Sequence, residues 1–572
     1  MVLIEVEEED DDDDDQHGPG KDVCLADLPE CVLSTIYSRV PPSVLSQHRG
    51  VCSKFRLLCP AGPMHSPVRL RLRYDTGQAA DVVPALPRFL CRLGADMDVE
   101  LSVHGCCSAN AQTQHAATRF PVFDTVLDAI SERGLTRLTS LSIYADASTR
   151  RWALPYETIA AIIACNTRLT DLCICGIPLE ERGLRLLSEA FTIVGVTLRT
   201  LNLQSASSQR KLAVDALSPL LRASSLTSLQ FADTDLSGER SAELARSLSS
   251  PYHLRSLKLT ACNLGVKDIV LLGPAIHSDL TDLDLSQNKI GPPCLSSLAP
   301  SFRNLTHLDL SYNFSSTEGL AALAPYLPWL TRLQTLLMAA YTTSVLEVGD
   351  APVIDGDDNG GAGGAQGEAR LVVRALRTFL EAMVDLTGRA PNVMTRLDLS
   401  YIPLGNAGLG LLRGFGGHRS LETLRLDSTR LGTRGAMGLA LGVEFLSSLR
   451  HLSVANNLVL KEGILALARA LVTAAAPLQT FHLQGNNIGA LGAICLASVL
   501  PFLTSLQRID ISSNMLGVSG ANAVCASLLA HPDLLTVRMK DNSLGTYSRQ
   551  ITAEARNSLC LSSPCLTTLD LE

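Results

Sequence analysis

A few short stretches of this chain place chemistry-bearing residues at spacings that invite a reading. Asp355-Gly356-Asp357-Asp358-Asn359-Gly360 puts oxygen donors where the opening of a calcium-binding loop has them. Its twelfth position is Gln366, where a bidentate Glu is required, and no helix is expected before Asp355. The stretch therefore reads as a flexible loop. Cys106-Cys107 and Cys173-x-Cys175 offer thiolates but no second pair at zinc spacing. Alternation along a strand turns Cys173 and Cys175 outward, as surface thiols. The glycines of 360–367 have no Lys-Ser/Thr after them, so no phosphate loop is built. His307, His451 and His482 fall on separate strands and form no triad. The sequence implies no enzyme, no cofactor and no metal.

Charged residues at outward strand positions are more informative. Leu-Asp-Leu-Ser, with Ile for Leu in the last copy, recurs and places Asp284, Asp309, Asp398 and Asp510 along one row, with Asp282 beside the first. Later strands add Arg425, Arg508, Arg538 and Lys540. One reading is that Asp and Ser keep an exposed sheet soluble. The other is an acidic central patch and a basic C-terminal patch that choose a protein partner by charge.

The elements that position these residues repeat. Leu280–Ile290 (LTDLDLSQNKI), Leu478–Ile488 (LQTFHLQGNNI) and Leu506–Leu516 (LQRIDISSNML) share the phrase Leu-x-x-Leu-x-Leu-x-x-Asn-x-Leu, in which apolar residues replace some of the leucines. Units open at 169, 198, 226, 254, 280, 305 and 333, then at 394, 421, 449, 478, 506, 534 and 566. Leu-x-Leu sends two side chains into a core from a short parallel strand. Asn288, Asn313, Asn457, Asn486, Asn514 and Asn542 then stand where the chain leaves the strand and can satisfy backbone groups there. A glycine and a helical phrase follow. The pattern resembles the leucine-rich repeat family, and its length near 28 residues resembles the ribonuclease-inhibitor-like subclass. That resemblance implies an α/β solenoid with a curved parallel sheet inside and helices outside.

Four zones follow: an acidic disordered tail (1–21), a helical element (22–60), degenerate opening repeats (61–165) and the regular array (166–572). Weak strands are expected at Val68–Leu72, Val99–Val103 and Leu138–Ile143. An insertion, 342–392, interrupts the array with a Gly/Asp-rich loop.

Composition bounds the function. No stretch reaches 18 apolar residues without a charge or a break, so no membrane span is expected. Of the net charge of −9, Glu5 and Glu7–Asp15 alone contribute ten acids, leaving the remainder near neutral. Neither nucleic acid nor an anionic membrane is then an expected partner. Sixteen scattered Cys, after an N-terminus that is the reverse of a signal peptide, predict a reduced cytoplasmic or nuclear chain.

Residues 25–58 (LADLPECVLSTIYSRVPPSVLSQHRGVCSKFRLL) read as three short helices broken by Pro41-Pro42 and Gly50. So small a core is rarely stable alone. The phrase resembles the F-box, with Val40 and Phe55 in place of the commoner Leu and Trp. By that resemblance Leu28, Pro29, Leu33, Ile36, Leu45, Val51, Cys52 and Phe55 dock on a Skp-type adaptor of a cullin–RING ubiquitin ligase, and the solenoid holds the target. The element read without the resemblance is a helical cap on the solenoid. The alternative function is a Ran-type GTPase-activating or inhibitor-like repeat protein that acts without an adaptor.

Overall fold

The computed structural model describes residues 2–7, 68–75, 99–106 and 138–145, most of 155–339, 394–404 and 419–544, and 568–570. The helical element at 22–60 lies outside the described residues, as does the insertion at 342–392. The chain divides into two compact units, Met1–His277 and Ser278–Glu572. That division differs from the boundary at 165/166 suggested by the regularity of the repeat.

In the first unit β1 (Val2–Glu7) is followed by β2 (Val68–Asp75), β3 (Val99–Cys106), β4 (Leu138–Ala145), β5 (Asp171–Ile177), β6 (Thr200–Ser205), β7 (Ser228–Ala232) and β8 (Ser256–Thr260). Strands β2 to β8 pair in sequence order and in parallel. The expected opening strands are present, each longer than anticipated. From β4 onward the described helices lie between strands: α1 (Tyr156–Cys165), α2 (Glu181–Val194), α3 (Val214–Ala223), α4 (Glu239–Leu248) and α5 (Val266–Leu272).

The N-terminus departs from expectation. Val2–Glu7, assigned to the disordered tail, is a strand antiparallel to β2, and residues 8–21 lie outside the described residues. Apolar Val2, Ile4 and Val6 alternate along it, and the register sets Glu5 opposite Arg71 and Glu7 opposite Arg69. Strand β1 thereby covers the edge of β2 opposite β3.

The second unit holds β9 (Asp282–Asp284), β10 (His307–Asp309), β11 (Thr335–Leu337), β12 (Arg396–Asp398), β13 (Thr423–Arg425), β14 (His451–Ser453), β15 (Thr480–His482), β16 (Arg508–Asp510), β17 (Thr536–Arg538) and β18 (Thr568–Asp570). All pair in parallel without a register shift. Their central residues, from Leu283, Leu308 and Leu336 to Phe481, Ile509 and Val537, are at most 1% exposed. Each such side chain stabilises the fold by about 1.5–3 kcal/mol, which is why every unit must present the same apolar pair. The fold is a leucine-rich-repeat solenoid.

Two devices join neighbouring repeats of this unit. The first is a ladder of buried asparagines. Asn457 Oδ1 accepts the N–H of Thr429 at 2.8 Å, Asn514 Oδ1 that of Asn486 at 2.8 Å, and Asn542 Oδ1 that of Asn514 at 2.8 Å. Their side-chain amides donate back to carbonyls of their own and the preceding repeat, as Asn514 does to Ile511 at 3.0 Å and Leu483 at 2.8 Å. The residue before each ladder position is left-handed, as at Asn456 (φ 56), Ser513 (φ 54) and Asp541 (φ 54). At Gly485 (φ 71) a Cβ would sit 2.1 Å from Asn456 Oδ1, so a side chain there would displace that amide. In the first unit Cys262 occupies the ladder position and donates to Phe231 O at 3.3 Å.

The second device is close approach of the outer helices. Among the described residues of the second unit these are α6 (Leu295–Leu298), α7 (Glu318–Leu323), α8 (Gly432–Val443), α9 (Leu460–Thr473), α10 (Gly489–Ala497) and α11 (Gly517–Leu528). A Cβ on Gly463 would meet Ala436 Cβ at 2.8 Å, and one on Gly520 would meet Ala493 Cβ at 2.8 Å. These glycines set the spacing of the helical layer.

Candidate functional site

The register fixes which outward side chains stand side by side. The third residue of each strand in the second unit gives one row: Asp284, Asp309, Leu337, Asp398, Arg425, Ser453, His482, Asp510, Arg538 and Asp570. Asp284, Asp309 and Asp398 are thus brought together over four strands, while Asp510 stands apart between His482 and Arg538. The first residue of each strand gives a second row, which holds Asp282 and Arg508. The acids and bases named from sequence therefore occupy two rows rather than one acidic and one basic patch.

The four aspartates also build the chain locally. Asp284, Asp309, Asp398 and Asp510 each accept the N–H of the serine two residues on, at 2.8, 2.8, 2.9 and 3.0 Å. Such Asx turns direct the chain out of the strand. Their second oxygens and the neighbouring charges supply the electrostatics. Burial, then the nearby Asp284 carboxylate, pushes Asp309 up to about 6, and Asp398 adds to the effect.

Arg425 corrects the expected basic patch. Half exposed, it lies 3.5 Å from Asp398 on the adjacent strand and 3.2 Å from Asp427, two residues along its own. Burial acts to lower its pKa, but Asp398 and Asp427 hold it above its ordinary value. Its charge is spent inside the protein, because alternation puts Asp427 on the same face. Lys540 is paired likewise with Asp570 at 3.0 Å.

Two tyrosines were not read from sequence. Tyr312 and Tyr401 follow β10 and β12 in the phrases Leu-Ser-Tyr, both in the left-handed conformation (φ 57 and 65). Burial, then the proximity of Tyr401 and Asp398, raises the pKa of Tyr312. Half-buried tyrosines beside carboxylates present a rigid apolar ring and a polar tip, a combination enriched at protein interfaces. A Tyr in place of a small polar residue after Leu-Ser was the available signal.

The second row carries an alternation also missed. It runs Asp282, His307, Thr335, Arg396, Thr423, His451, Thr480, Arg508, Thr536, with a base on every second strand from β10 to β16 and Thr between. His307, Arg396 and Arg508 are exposed. Burial, then Arg396 and Arg508, depresses the pKa of His451. Reading every second repeat, instead of each one, would have found it.

The remaining candidates separate. His307 and His451 stand in the second row, four strands apart, while His482 is in the first. Among the described residues no three His, Cys, Asp or Glu gather to hold a metal. Also among them, no helix is long and apolar enough to cross a membrane. The adaptor-binding candidates Leu28, Pro29, Leu33, Ile36, Leu45, Val51, Cys52 and Phe55 lie outside the described residues.

The leucine-rich repeat family model matches residues 277–299, 303–324 and 475–497. The chain carries leucine-rich repeats. It is 31% identical to the ribonuclease inhibitor of Mus musculus over 174 residues, which is 30% of this chain and 37% of that protein. It is 32% identical to the ribonuclease inhibitor of Sus scrofa over 178 residues, again 30% of this chain and 37% of that one. The chain thus spans little more than a third of the length of these relatives. Among solved structures, it is similar to a chain of the yeast Rad7–Elc1 complex, with a TM-score of 0.40, 16% identity, and coverage of 68% of this chain and 85% of that one. The leucine-rich-repeat solenoid is a protein-binding scaffold with an open strand face.

Proposed function

We propose that this scaffold is the substrate receptor of a cullin–RING ubiquitin ligase. The observation that carries the reading is the full-length phrase from Leu25 to Leu58, at F-box spacing, ahead of a repeat array. The F-box docks the Skp-type adaptor through Leu28, Pro29, Leu33, Ile36, Leu45, Val51, Cys52 and Phe55. The strand face holds the target through Asp282, Asp284, Asp309, Asp398, Arg508, Asp510 and Arg538, with Tyr312 and Tyr401 as anchors. The receptor breaks no bond; it raises the effective concentration of a target lysine beside the charged conjugating enzyme.

The test is co-purification of the full chain with the adaptor. Ile36→Asp or Phe55→Asp is expected to abolish it while Tyr312→Ala/Tyr401→Ala leaves it intact and loses the target. Retention of adaptor by both charged variants removes the F-box reading.

Similarity to ribonuclease inhibitors favours a second reading, an inhibitor that acts through the strand face alone. Its signature is tight capture of one protein by the solenoid, unaffected by Ile36→Asp, with no adaptor present.

A further inference from the structure

Cys173 and Cys175 stand two residues apart on β5 in the first unit, both on the face opposite the buried Leu172 and Ile174. Their sulfurs are 3.4 Å apart. Cys175 is buried (8% exposed) and Cys173 half-buried, so the expectation of two surface thiols holds only for part of the pair. Tyr144 stands opposite Cys175 in register, and its hydroxyl reaches Cys173 Sγ at 3.5 Å. Asn202 and Gln204 flank the pair on the other side.

We propose that Cys173 and Cys175 form a dithiolate site for a soft cation of low coordination number, Cu(I). The protein holds two sulfurs at a separation that one ion spans: with metal–sulfur bonds of about 2.3 Å, any spacing up to about 4.6 Å is bridged, so side-chain rotation suffices. Softness of the donors selects cuprous ion or zinc among biological metals. Zinc calls for four ligands, and among the described residues no third His, Cys, Asp or Glu joins the pair. Cu(I) accepts two ligands in a near-linear arrangement, or three, and rotation of the two side chains from 3.4 Å toward about 4.6 Å provides the linear one.

Binding releases two protons from the free dithiol, and copper remains Cu(I) with nothing oxidised.

A disulfide is the competing fate. Residues i and i+2 of a strand have Cα atoms about 6.6 Å apart, at the far limit for a disulfide. Closing the sulfurs from 3.4 Å to bonding distance therefore leaves little slack inside a paired strand.

The test uses the full-length reduced chain, without oxygen, loaded with one equivalent of Cu(I) from its acetonitrile complex. It is then alkylated with N-ethylmaleimide and mapped by peptide mass. Labelling of Cys173 and Cys175 is expected to slow together by at least tenfold, with exposed Cys165 unchanged. Zinc is expected to alter the Cys173 rate by less than twofold, and Cys175→Ser to abolish copper protection at Cys173. Equal labelling with and without copper overturns the proposal, as does equal protection by zinc. An internal Cys173–Cys175 disulfide formed by hydrogen peroxide alone and reversed by reductant assigns the pair to redox chemistry instead.

Discussion

Asn486 Oδ1 accepts the backbone N–H of Asn457 at 3.1 Å, although 29 positions separate them in the chain. The same oxygen takes the N–H of Val459 at 3.2 Å, while the amide nitrogen donates to Val454 and Leu483 carbonyls at 2.9 Å each. One fully buried side chain thus bonds five backbone groups in two repeats, the fifth being the Gln484 carbonyl at 3.4 Å. Each buried group left without a partner costs about 1–3 kcal/mol. Asn486→Ala is therefore expected to destabilise the second unit by roughly 4 kcal/mol, read as a shift of the urea midpoint. An unchanged midpoint would mean that water replaces the amide.

Gly463 is expected to resist the usual benefit of alanine. In an exposed helix, Gly→Ala gains about 1 kcal/mol. Here the added carbon would lie 2.5 Å from Val459 Cγ1 and 2.8 Å from Ala436 Cβ, forcing α8 and α9 apart. Gly463→Ala should lower the melting temperature, and Gly463→Leu should lower it further. A rise on the alanine substitution would show that the helical layer yields.

Asp309 gives the second unit a pH dependence of unusual sign for a carboxylate. Its pKa is about 6 when folded and near the ordinary 3.8 when unfolded. Between those values the native state holds more protons, so this residue's contribution to stability falls as pH rises from about 4 to about 6. Asp309→Asn keeps an acceptor for the Ser311 N–H and removes the repulsion from Asp284. It should stabilise the unit by about 1 kcal/mol at pH 7 and by almost nothing at pH 4. Equal effects at both pH values would place the cause elsewhere.

Removing Arg425 should act through the carboxylates it leaves behind. Arg425→Gln frees Asp398 and Asp427 from their shared counter-charge. Because the guanidinium is half exposed, the loss is expected to stay near 1 kcal/mol. The clearer readout is affinity: a basic target should bind the variant more tightly at low salt, and an acidic one more weakly.

How much of this the sequence discloses depends on how far a residue's role is set within its own repeat. The Leu-x-Leu core and the asparagine ladder are legible because each unit restates them, and Asn457, Asn486, Asn514 and Asn542 act where the phrase puts them. Roles created between repeats are not. Arg425 read as a free cation because Asp398 and Asp427 close on it only after strands pair. Cys175 read as outward because the alternation ignores Tyr144, which arrives from the neighbouring strand. Val2–Glu7 read as tail because its partner is more than 60 residues away.

The alternation His307, Thr335, Arg396, Thr423, His451, Thr480, Arg508, Thr536 has a consequence for any ligand laid across the strands. Shifting such a ligand by two strands, about 9.6 Å, brings it onto a near copy of the same pattern. The face therefore acts as a ruler with repeated graduations, on which a ligand can mis-set by whole steps. Unrepeated marks such as Asp282 at one end and Arg425 along the way tell one graduation from the next. Selectivity and mere adhesion are thereby assigned to different residues of one sheet.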